Sequence, residues 1–419
     1  MNVATLMRPY AAPGREPPLV FNKGRGVTMT DSIGRELIDA AGGLWNVSVG
    51  LGNATVIDAM LRQAGEMAYG SLFDCSHGAA QRLTERLVAA TGRRMTSVYL
   101  STTGSSAVEA ALRVARLHYR VRGMPEKRGV ISFDRGYHGG SLMNLSASGI
   151  VHAEMTGIED ILPEFYQIPS PPYEFESLSS LDALLTSKEH RICCLVAEPV
   201  LGSAGVVIPS QTFWQDVRRL CDRHSVLLIA DEVATGVGRC GAMLASPLVG
   251  LDPDVVALAK GLTAGYFPLG ATLFADRVVA PIAEAGVPLM FGSTQDGNPI
   301  GCAAALAILD MLEDGGVICG VQRRSLLLRD ALLPLEEYTV LHEVRILGLM
   351  AGLELRHLDA ERTLFTETEA AEVRRQCAEA GLLVYHFDGG ISLFPALTST
   401  IDEIEDVVQI LSGVLACQA

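Results

Sequence analysis

The sequence predicts an α/β protein, with a mainly parallel sheet in a large domain and a smaller α+β domain beside it. Strand-like and helix-like patterns alternate through the middle of the chain, and the runs 191–198 and 225–231 are apolar almost throughout. Nearly continuous apolar runs are typical of strands that helices cover on both faces. Toward the C-terminus the alternation stops, and paired strands and separate helices take its place.

The elements of the large domain begin with a short strand and a long helix. The predicted strands are 96–101, 129–133, 191–198, 225–231 and 255–259. Helices are predicted from Ser105 to about Tyr119 and over 211–224, where apolar residues recur at helical spacing. The polar segment 170–180 carries two prolines, and we expect a loop there. This order of elements predicts parallel strands joined by crossover helices.

The C-terminal part has a different pattern. Residues 344–355 predict two strands joined by a bend at glycine, and 367–381 predict a helix that Gly381 ends. A further helix is predicted over 401–415. The predicted domain scheme is an N-terminal segment of the small domain (1–50), the large domain (51–310) and the rest of the small domain (311–419).

Composition and charge exclude several classes of function. Of 419 residues, 49% are hydrophobic and 19% are charged, which is typical of a globular chain. The formal charge of −15 disfavours a nucleic-acid partner, because the phosphates would be repelled. No apolar run reaches the roughly 20 residues of a membrane span, and the N-terminus lacks a signal-peptide pattern, so we expect a cytoplasmic protein without a membrane partner. The nine cysteines contain no CxxC motif, which disfavours zinc and disulfide frameworks, and no metal site is predicted.

Polar residues follow three of the predicted strands, at the edge where open α/β sheets bind ligands. The small, glycine-bearing segment 102–110 begins a helix. Its backbone N–H groups and the Thr103 and Ser105 hydroxyls could hold a phosphate, although such turns are more often structural. Asp231 could face a protonated ring nitrogen or a salt-bridge partner. Lys260 could extend into solvent or, if partly desolvated, form a Schiff base.

The combination of these groups decides between the alternatives. A phosphate anchor, a carboxylate for the ring nitrogen and an amine for the aldehyde are what pyridoxal 5′-phosphate (PLP) requires. The chain resembles the class III aminotransferases of PLP fold type I, and within them the ω-transaminases. The resemblance is carried by the blocks 41–69, 102–116, 136–141, 197–209, 231–241, 257–262 and 291–307.

The resemblance implies a role for each residue of the catalytic set. Lys260 forms the Schiff base with PLP and moves a proton between the substrate Cα and the cofactor C4′. Asp231 pairs with the pyridine nitrogen. Val233 packs beneath the ring and Tyr137 stacks on its other face, the alternative for Tyr137 being a place in the core.

The same resemblance implies the remaining contacts of the site. Further residues beside the cofactor are Thr103, Gly104 and Ser105 at the phosphate, together with His138 and Glu198. A threonine in the position of Thr294 reaches the phosphate from the neighbouring subunit, so the resemblance implies a homodimer with shared active sites. Trp45 forms a wall of the substrate pocket, although a tryptophan in an apolar block is more often a core residue.

The sequence departs from the family near its C-terminus. Relatives carry an arginine that grips a substrate carboxylate, three residues before a PPL-like turn. If the FPAL segment is that turn, Ser392 takes the arginine's place, and no arginine occurs from Val384 onward. Glu198, the family partner of that arginine, is then expected to attract a second ammonium or a sugar hydroxyl. Alternatively, Glu198 bonds locally and another arginine, such as Arg135 or Arg345, binds the carboxylate.

These observations predict a transaminase with ping-pong kinetics. It moves an amino group from a donor amine or amino acid to an aldehyde or ketone acceptor, and the substrate is expected to be amine-rich or sugar-like. The alternative on the same fold is an aminomutase, or a racemase or epimerase, because these enzymes keep the same cofactor residues. A catalytically silent relative is disfavoured, since the set of Lys260, Asp231 and Tyr137 is intact.

Overall fold

The protein consists of three sheets and the helices that cover them. The computed structural model describes residues 6–12, 17, 19–150, 162–337, 339–358 and 361–418. The strands are β1 (Phe21–Arg25), β2 (Thr28–Asp31), β3 (Glu36–Asp39), β4 (Ser97–Ser101), β5 (Gly129–Phe133), β6 (Phe165–Ile168), β7 (Ile192–Ala197), β8 (Leu227–Asp231), β9 (Val255–Leu258), β10 (Gly270–Phe274), β11 (Leu341–Leu347), β12 (Met350–Leu355), β13 (Leu382–Leu383), β14 (Tyr385–Phe387) and β15 (Gly390–Leu393). The helices are α1 (Ala54–Glu66), α2 (Gly78–Ala90), α3 (Gly104–Val121), α4 (Leu142–Ala147), α5 (Glu174–Ser187), α6 (Gln211–Arg223), α7 (Ser246–Val249), α8 (Asp276–Glu284), α9 (Pro299–Glu313), α10 (Val317–Leu332), α11 (Glu367–Glu379) and α12 (Ile401–Ala416).

The central sheet has seven strands in the order β4-β10-β9-β8-β7-β5-β6. Neighbouring strands are parallel, except that β10 pairs antiparallel with both β4 and β9. A strand that lies antiparallel between two others leaves those two pointing the same way, so β4 runs in the direction of the parallel strands. The sheet is therefore mixed but mainly parallel, and the predicted α/β fold class is confirmed.

Helices bury the central strands, which explains their apolar sequences. Every residue of β7 and β8 is buried. On one side, Val108, Ala111 and Ala115 of α3 belong to the same buried cluster as Val196 of β7 and Ile229 of β8. Within the described ranges, no helix combines the length and the hydropathy that crossing a membrane requires.

Two smaller sheets are built from the ends of the chain. The first has the order β1-β2-β3-β13, in which the C-terminal strand β13 pairs in parallel with the N-terminal strand β3. The second has the order β11-β12-β15-β14, and its β11–β12 hairpin bends at Gly348, whose φ is +61°. The strand pair bent at glycine is thus as the sequence predicts. The boundaries of the domain scheme stay a prediction.

The prediction of a loop over 170–180 is wrong beyond residue 173. Helix α5 begins at Glu174, directly after the two prolines and Tyr173. Ser177, Leu181 and Leu185 are its buried residues, spaced by four, so one narrow stripe of the helix packs inward. Such a stripe is easily missed among the serines and glutamates of this segment.

Candidate active site

A cavity of about 540 Å³ lies at the carboxyl ends of β4, β5, β7, β8 and β9. Loops that follow strands of one direction meet at this edge of the sheet, which is where open α/β sheets bind ligands. The lining residues that the sequence singles out are Trp45, Thr103, Gly104, Ser105, Tyr137, His138, Glu198, Asp231, Val233 and Lys260. The structure therefore brings together residues that are more than 200 positions apart in the chain.

Lys260 follows β9 and points its ammonium group into this cavity. Its backbone has a φ of +40°, in the left-handed region that side chains other than glycine rarely adopt. Burial lowers the pKa of the Lys260 ammonium, and the charges of Asp231 and Glu198 oppose that shift. The Nζ atom lies 4.5 Å from the centroid of the Trp45 ring. A desolvated amine of this kind is a better nucleophile than an exposed lysine.

Asp231 ends β8 as a buried carboxylate with two fixed hydrogen-bond partners. Its Oδ2 lies 2.8 Å from Nδ1 of His138, and its Oδ1 accepts a hydrogen bond from the Val233 backbone N–H at 3.1 Å. Both the aspartate and the histidine are almost fully buried. The Nε2 atom of His138 has no hydrogen-bond partner within the described part of the chain. The pair therefore fixes the orientation of the Asp231 carboxylate in the cavity.

The N-terminus of the 18-residue helix α3 forms a cradle of backbone N–H groups. Thr103 caps this helix, and its Oγ1 accepts a hydrogen bond from the Ser106 N–H at 3.0 Å. Ser106 Oγ accepts one in return from the Thr103 N–H at 2.9 Å, which completes a capping box that the sequence analysis missed. A Cβ atom on Gly104 would lie 2.8 Å from Val233 Cγ1, so the chain can approach Val233 only with glycine at this position.

Tyr137 and Glu198 meet on the wall of the cavity. Glu198 Oε1 accepts a hydrogen bond from the Tyr137 N–H at 3.1 Å, and Oε2 accepts one from the Gly202 N–H at 3.1 Å. Burial, and then the charge of Asp231, raise the pKa of the Glu198 carboxyl to about 7. The hydroxyl of Tyr137 lies 3.3 Å from that of Tyr10, a residue that no sequence pattern singled out.

Trp45 is held over the cavity by a left-handed turn. Gly42, Gly43, Leu44 and Trp45 have φ values between +54° and +69°. Left-handed backbone costs about 1 to 3 kcal/mol for a residue other than glycine, so the turn needs outside support. The Asp39 carboxylate supplies it by accepting a hydrogen bond from the Gly43 N–H at 2.8 Å. The tryptophan ring then stacks on Phe394, with 4.5 Å between the ring centroids.

Ser392 is not among the residues that line the cavity of the single chain, and its role as a substrate residue stays a prediction. Ser392 lies in β15, fully buried, and pairs with Gly352 on one side and Tyr385 on the other. Tyr385 in turn meets Trp45 edge-on, with 5.4 Å between the ring centroids. On this side, Trp45 borders the cavity and Ser392 does not.

Thr294 lies outside the cavity of its own chain. It is exposed, and its carbonyl oxygen accepts a hydrogen bond from the Tyr69 hydroxyl at 3.0 Å. Two arginines considered as carboxylate binders are also absent from the cavity lining. Arg345 pairs with Glu354 at 3.1 Å, and Arg135 donates a hydrogen bond to the Ala204 carbonyl at 3.1 Å.

The groups around the cavity fit PLP. The α3 cradle offers N–H donors and a positive helix end to a phosphate, and a Cβ atom on Gly139 would lie 2.4 Å from Ser105 Oγ and crowd that cradle. Asp231 offers an anion to a ring nitrogen, and Lys260 offers a desolvated amine to an aldehyde. These are the three interactions that the cofactor requires, and all three groups border one cavity.

Comparison with known proteins agrees with this site. The chain is 31% identical over 415 residues to an omega-aminotransferase of Caulobacter vibrioides, covering 95% of this chain and 93% of the relative. It is 34% identical over 410 residues to an adenosylmethionine-8-amino-7-oxononanoate aminotransferase of Geobacter sulfurreducens, covering 93% and 90%. The crystal structure of a PLP-bound amine transaminase from an uncultivated Pseudomonas species superposes with a TM-score of 0.93 at 35% identity, covering all of both chains.

The family assignment extends over nearly the whole chain. The family model of the class III aminotransferases matches residues 10–415, which includes every residue that borders the cavity. The similarity to the solved transaminase confirms the predicted PLP fold type I. The chain belongs to the class III aminotransferases, which are PLP-dependent enzymes.

Proposed function

We propose that the protein transfers an amino group from a donor amine or amino acid to an aldehyde or ketone acceptor. The observation that carries this proposal is the desolvated Lys260 amine, which shares one cavity with the Asp231 carboxylate and the α3 cradle. The named relatives and the solved structure are all described as transaminases. They give no support to the aminomutase, racemase or epimerase alternative.

Each lining residue has a task in this reaction. PLP, when bound, supplies an aldehyde that exchanges amines and a ring that accepts electrons. Lys260 Nζ accepts the proton from the substrate carbon that bears the amine and later returns it. Asp231 keeps a proton on the ring nitrogen, because a buried carboxylate stabilises a neighbouring cation. Tyr137 and Val233 enclose the ring from its two faces and exclude water.

The anchoring of the cofactor is assigned to a second group of residues. Gly104 and Ser105 hold the phosphate with the backbone N–H groups of α3, and Thr103 shapes the cradle because its hydroxyl is engaged in the helix cap. His138 orients the Asp231 carboxylate through the 2.8 Å contact. Glu198 lies at the substrate side of the cavity.

The substrate of this site is proposed to be amine-rich or sugar-like rather than a simple α-amino acid held by its carboxylate. Among the residues that border the cavity in the described part of the chain, Lys260 is the one lysine or arginine. Bidentate binding of a carboxylate needs an arginine, and Arg345 is already paired with Glu354. The name of the Geobacter sulfurreducens relative specifies its substrates and that of the Caulobacter vibrioides relative does not, so family membership supports the reaction and leaves the substrate open.

The proposed reaction is tested on the purified holoenzyme with a panel of amine donors. The step followed is the first half-reaction, in which the donor gives its amino group to the bound cofactor. We expect the absorbance of bound PLP to change on addition of a primary amine, with one equivalent of the matching carbonyl product released. Adding an aldehyde acceptor should restore the starting spectrum. Exchange of the substrate Cα hydrogen without carbonyl release would contradict the proposal.

We also propose that two chains form a homodimer in which each Thr294 reaches the neighbouring site. Thr294 is exposed, Met290 four residues before it is 81% accessible, and Phe73, which lies close to Gly292, is 62% accessible in the single chain. Tyr69, whose hydroxyl fixes the Thr294 carbonyl, is itself 47% accessible. Apolar side chains this exposed are typical of a surface that a partner covers.

A mixed dimer tests this sharing. Thr294→Ala should weaken PLP binding about tenfold, because it removes a hydrogen bond to a charged phosphate. A heterodimer of Lys260→Ala and Thr294→Ala chains should regain one intact site, with wild-type PLP affinity at its remaining Lys260. Unchanged weak binding in the heterodimer, or a monomer at micromolar concentration in light scattering, would refute the shared site.

A further inference from the structure

A second cavity, of about 390 Å³, lies at the amino ends of β8 and β9. Val226 and Asp254, which directly precede these two strands, both border it. Asp231 and Lys260 lie at the carboxyl ends of the same strands, so the second cavity is at the opposite edge of the sheet from the candidate active site. The two cavities share no lining residue. We call the second one the amino-edge cavity.

A buried carboxylate in the wall of the amino-edge cavity is shared by two arginines. Asp254 is 1% accessible, and its Oδ2 accepts hydrogen bonds from the Leu228 N–H at 2.8 Å and from Arg218 Nη1 at 3.0 Å. Its Oδ1 pairs with Arg277. The Nε atom of Arg218 is buried as well and has no hydrogen-bond partner in the described part of the chain. One guanidinium N–H beside this cavity is therefore left without an acceptor.

Arg122 brings a third guanidinium to the cavity, held by a neutral histidine. Its Nη1 lies 2.9 Å from Nε2 of His118. A guanidinium can only donate, so Nε2 accepts, and the His118 proton is on Nδ1, which donates to the Val278 carbonyl at 3.0 Å. Burial lowers the pKa of the His118 imidazole, which agrees with a neutral ring. The histidine therefore orients Arg122 without cancelling its charge.

The charges that border the amino-edge cavity do not balance. Its second carboxylate, Asp222, pairs with Arg218 at 2.7 Å. Three arginines thus meet two aspartates and a neutral histidine, which leaves one positive charge in excess. The chain as a whole carries a formal charge of −15, so this concave positive surface differs in sign from the rest of the molecule. Clefts lined by charge of one sign concentrate ligands of the opposite sign.

The rest of the lining is mostly apolar. Tyr119, Val226, Leu227 and Pro281 contribute to it, and the Tyr119 hydroxyl is already engaged with the Ser225 carbonyl. The volume is within the range of about 300 to 1,000 Å³ that is usual for small-molecule pockets. A cavity of this size and lining has room for carbon atoms beside an anionic group.

We propose that the amino-edge cavity binds a small organic anion with a carboxylate or phosphate head group. The head group is bound by Arg122 and Arg218, because planar guanidinium groups match both kinds of oxyanion. Compensation of the buried Asp254 explains why Arg218 and Arg277 are present. It does not explain Arg122, whose polar partner in the described chain is a histidine. This site goes beyond the proposed transaminase function and does not depend on it.

Isothermal titration calorimetry of the holoenzyme, freed of excess PLP, tests the site. The cofactor phosphate then occupies the α3 cradle and keeps other phosphates out of it. The probes are phenyl phosphate, benzoate and the neutral benzamide. We expect at least one of the two anions to bind once per chain and about tenfold or more tightly than benzamide, the effect of a charge-assisted contact. The tighter anion identifies the head group.

Variants of Arg122 assign the binding to this cavity. Arg122→Gln should weaken the anion about tenfold, and Arg122→Lys about threefold, because lysine keeps the charge and loses the fork. The matched control is Arg120→Gln, which should keep the wild-type affinity. Arg120 is also exposed and lies at the same end of α3, but it does not border the cavity.

A second position covers the case in which Arg122→Gln lowers the unfolding temperature. Arg277 is 60% accessible in its side chain, and Arg277→Gln leaves Asp254 compensated by Arg218 alone. The excess positive charge is then lost, and we expect the anion to bind about tenfold more weakly. Equal binding of the anions and benzamide, unchanged affinity in both Arg122→Gln and Arg277→Gln, or an equal loss in Arg120→Gln would overturn the site. None of these measurements involves turnover, so the result is independent of the proposed function.

Discussion

Replacing Lys260 by alanine is expected to lower the turnover of any donor by about a thousandfold or more. Under the proposed function, the variant loses both the amine that meets the cofactor and the atom that moves the substrate proton. PLP should still bind, because the α3 cradle and Asp231 remain in place. Borohydride reduction of the wild-type holoenzyme should fix the cofactor covalently to Lys260, which peptide mass spectrometry can locate among the four lysines at positions 23, 127, 188 and 260.

Lys127→Ala is the matched control for this experiment. Lys127 is buried, at 6% accessibility, and burial lowers the pKa of its ammonium as it does for Lys260. Its Nζ donates to the His224 carbonyl at 2.8 Å, and it does not border the cavity. The control should keep turnover per bound cofactor even if it unfolds at a lower temperature. Normal turnover in Lys260→Ala, or a reduced cofactor found on Lys127, would disprove the assignment.

The elements of the fold that are buried on all sides could be predicted, because such burial requires a nearly continuous apolar sequence. Strands β7 and β8 are buried at every residue, so their apolar runs were visible without coordinates. Helix α5 was missed because it buries a single stripe, and its serines and glutamates resemble those of a loop. The parallel pairing of β13 with β3 could not be foreseen either, since it joins residues about 344 positions apart and two residues carry too little pattern.

The positions of residues that lie at or just after the end of a strand could be predicted from the sequence. Asp231 and Lys260 lie at strand ends, and the sheet itself brings such ends together. Tyr10 lies on an N-terminal segment whose sequence carries no such constraint, yet its hydroxyl meets that of Tyr137. Ser392 was placed in the site by analogy of position. The direction of its side chain depends on how β15 pairs with β12 and β14, which only the three-dimensional structure defines.

The backbone of Trp45, which lines the cavity, departs from the usual conformational preference of its residue type. Its positive φ contradicts the intrinsic preference of tryptophan, and no sequence pattern predicts such a turn beyond the two glycines before it. The Asp39 hydrogen bond to Gly43 and the contact with Phe394 compensate the strain. Strained backbone of this kind is often found where a side chain must hold one orientation toward a ligand.

Replacing Asp231 by asparagine is expected to lower turnover by about 10²- to 10³-fold, the usual effect of removing one preorganised electrostatic contact. The asparagine keeps the size of the side chain and can still accept the Val233 N–H bond now made by Oδ1. It removes the negative charge that is proposed to keep a proton on the ring nitrogen, and without that proton the ring would accept electrons less readily from the reacting carbon. The measurement is a stopped-flow half-reaction, normalised to bound PLP.

The alternative explanation for such a loss is that any buried carboxylate near the cavity stabilises the fold. Glu232→Gln distinguishes the two, because Glu232 is the next residue, is fully buried, and accepts hydrogen bonds from Ala245 and Ser246 instead of facing the cavity. If stability were the cause, both variants would lose activity in proportion to their shift in unfolding temperature. If the charge at the ring nitrogen is the cause, Asp231→Asn loses turnover at full PLP occupancy, whereas Glu232→Gln keeps turnover per bound cofactor. Equal losses per bound cofactor in the two variants would therefore contradict the role of Asp231, and a loss confined to Asp231→Asn would tie the electron-accepting step to this one carboxylate.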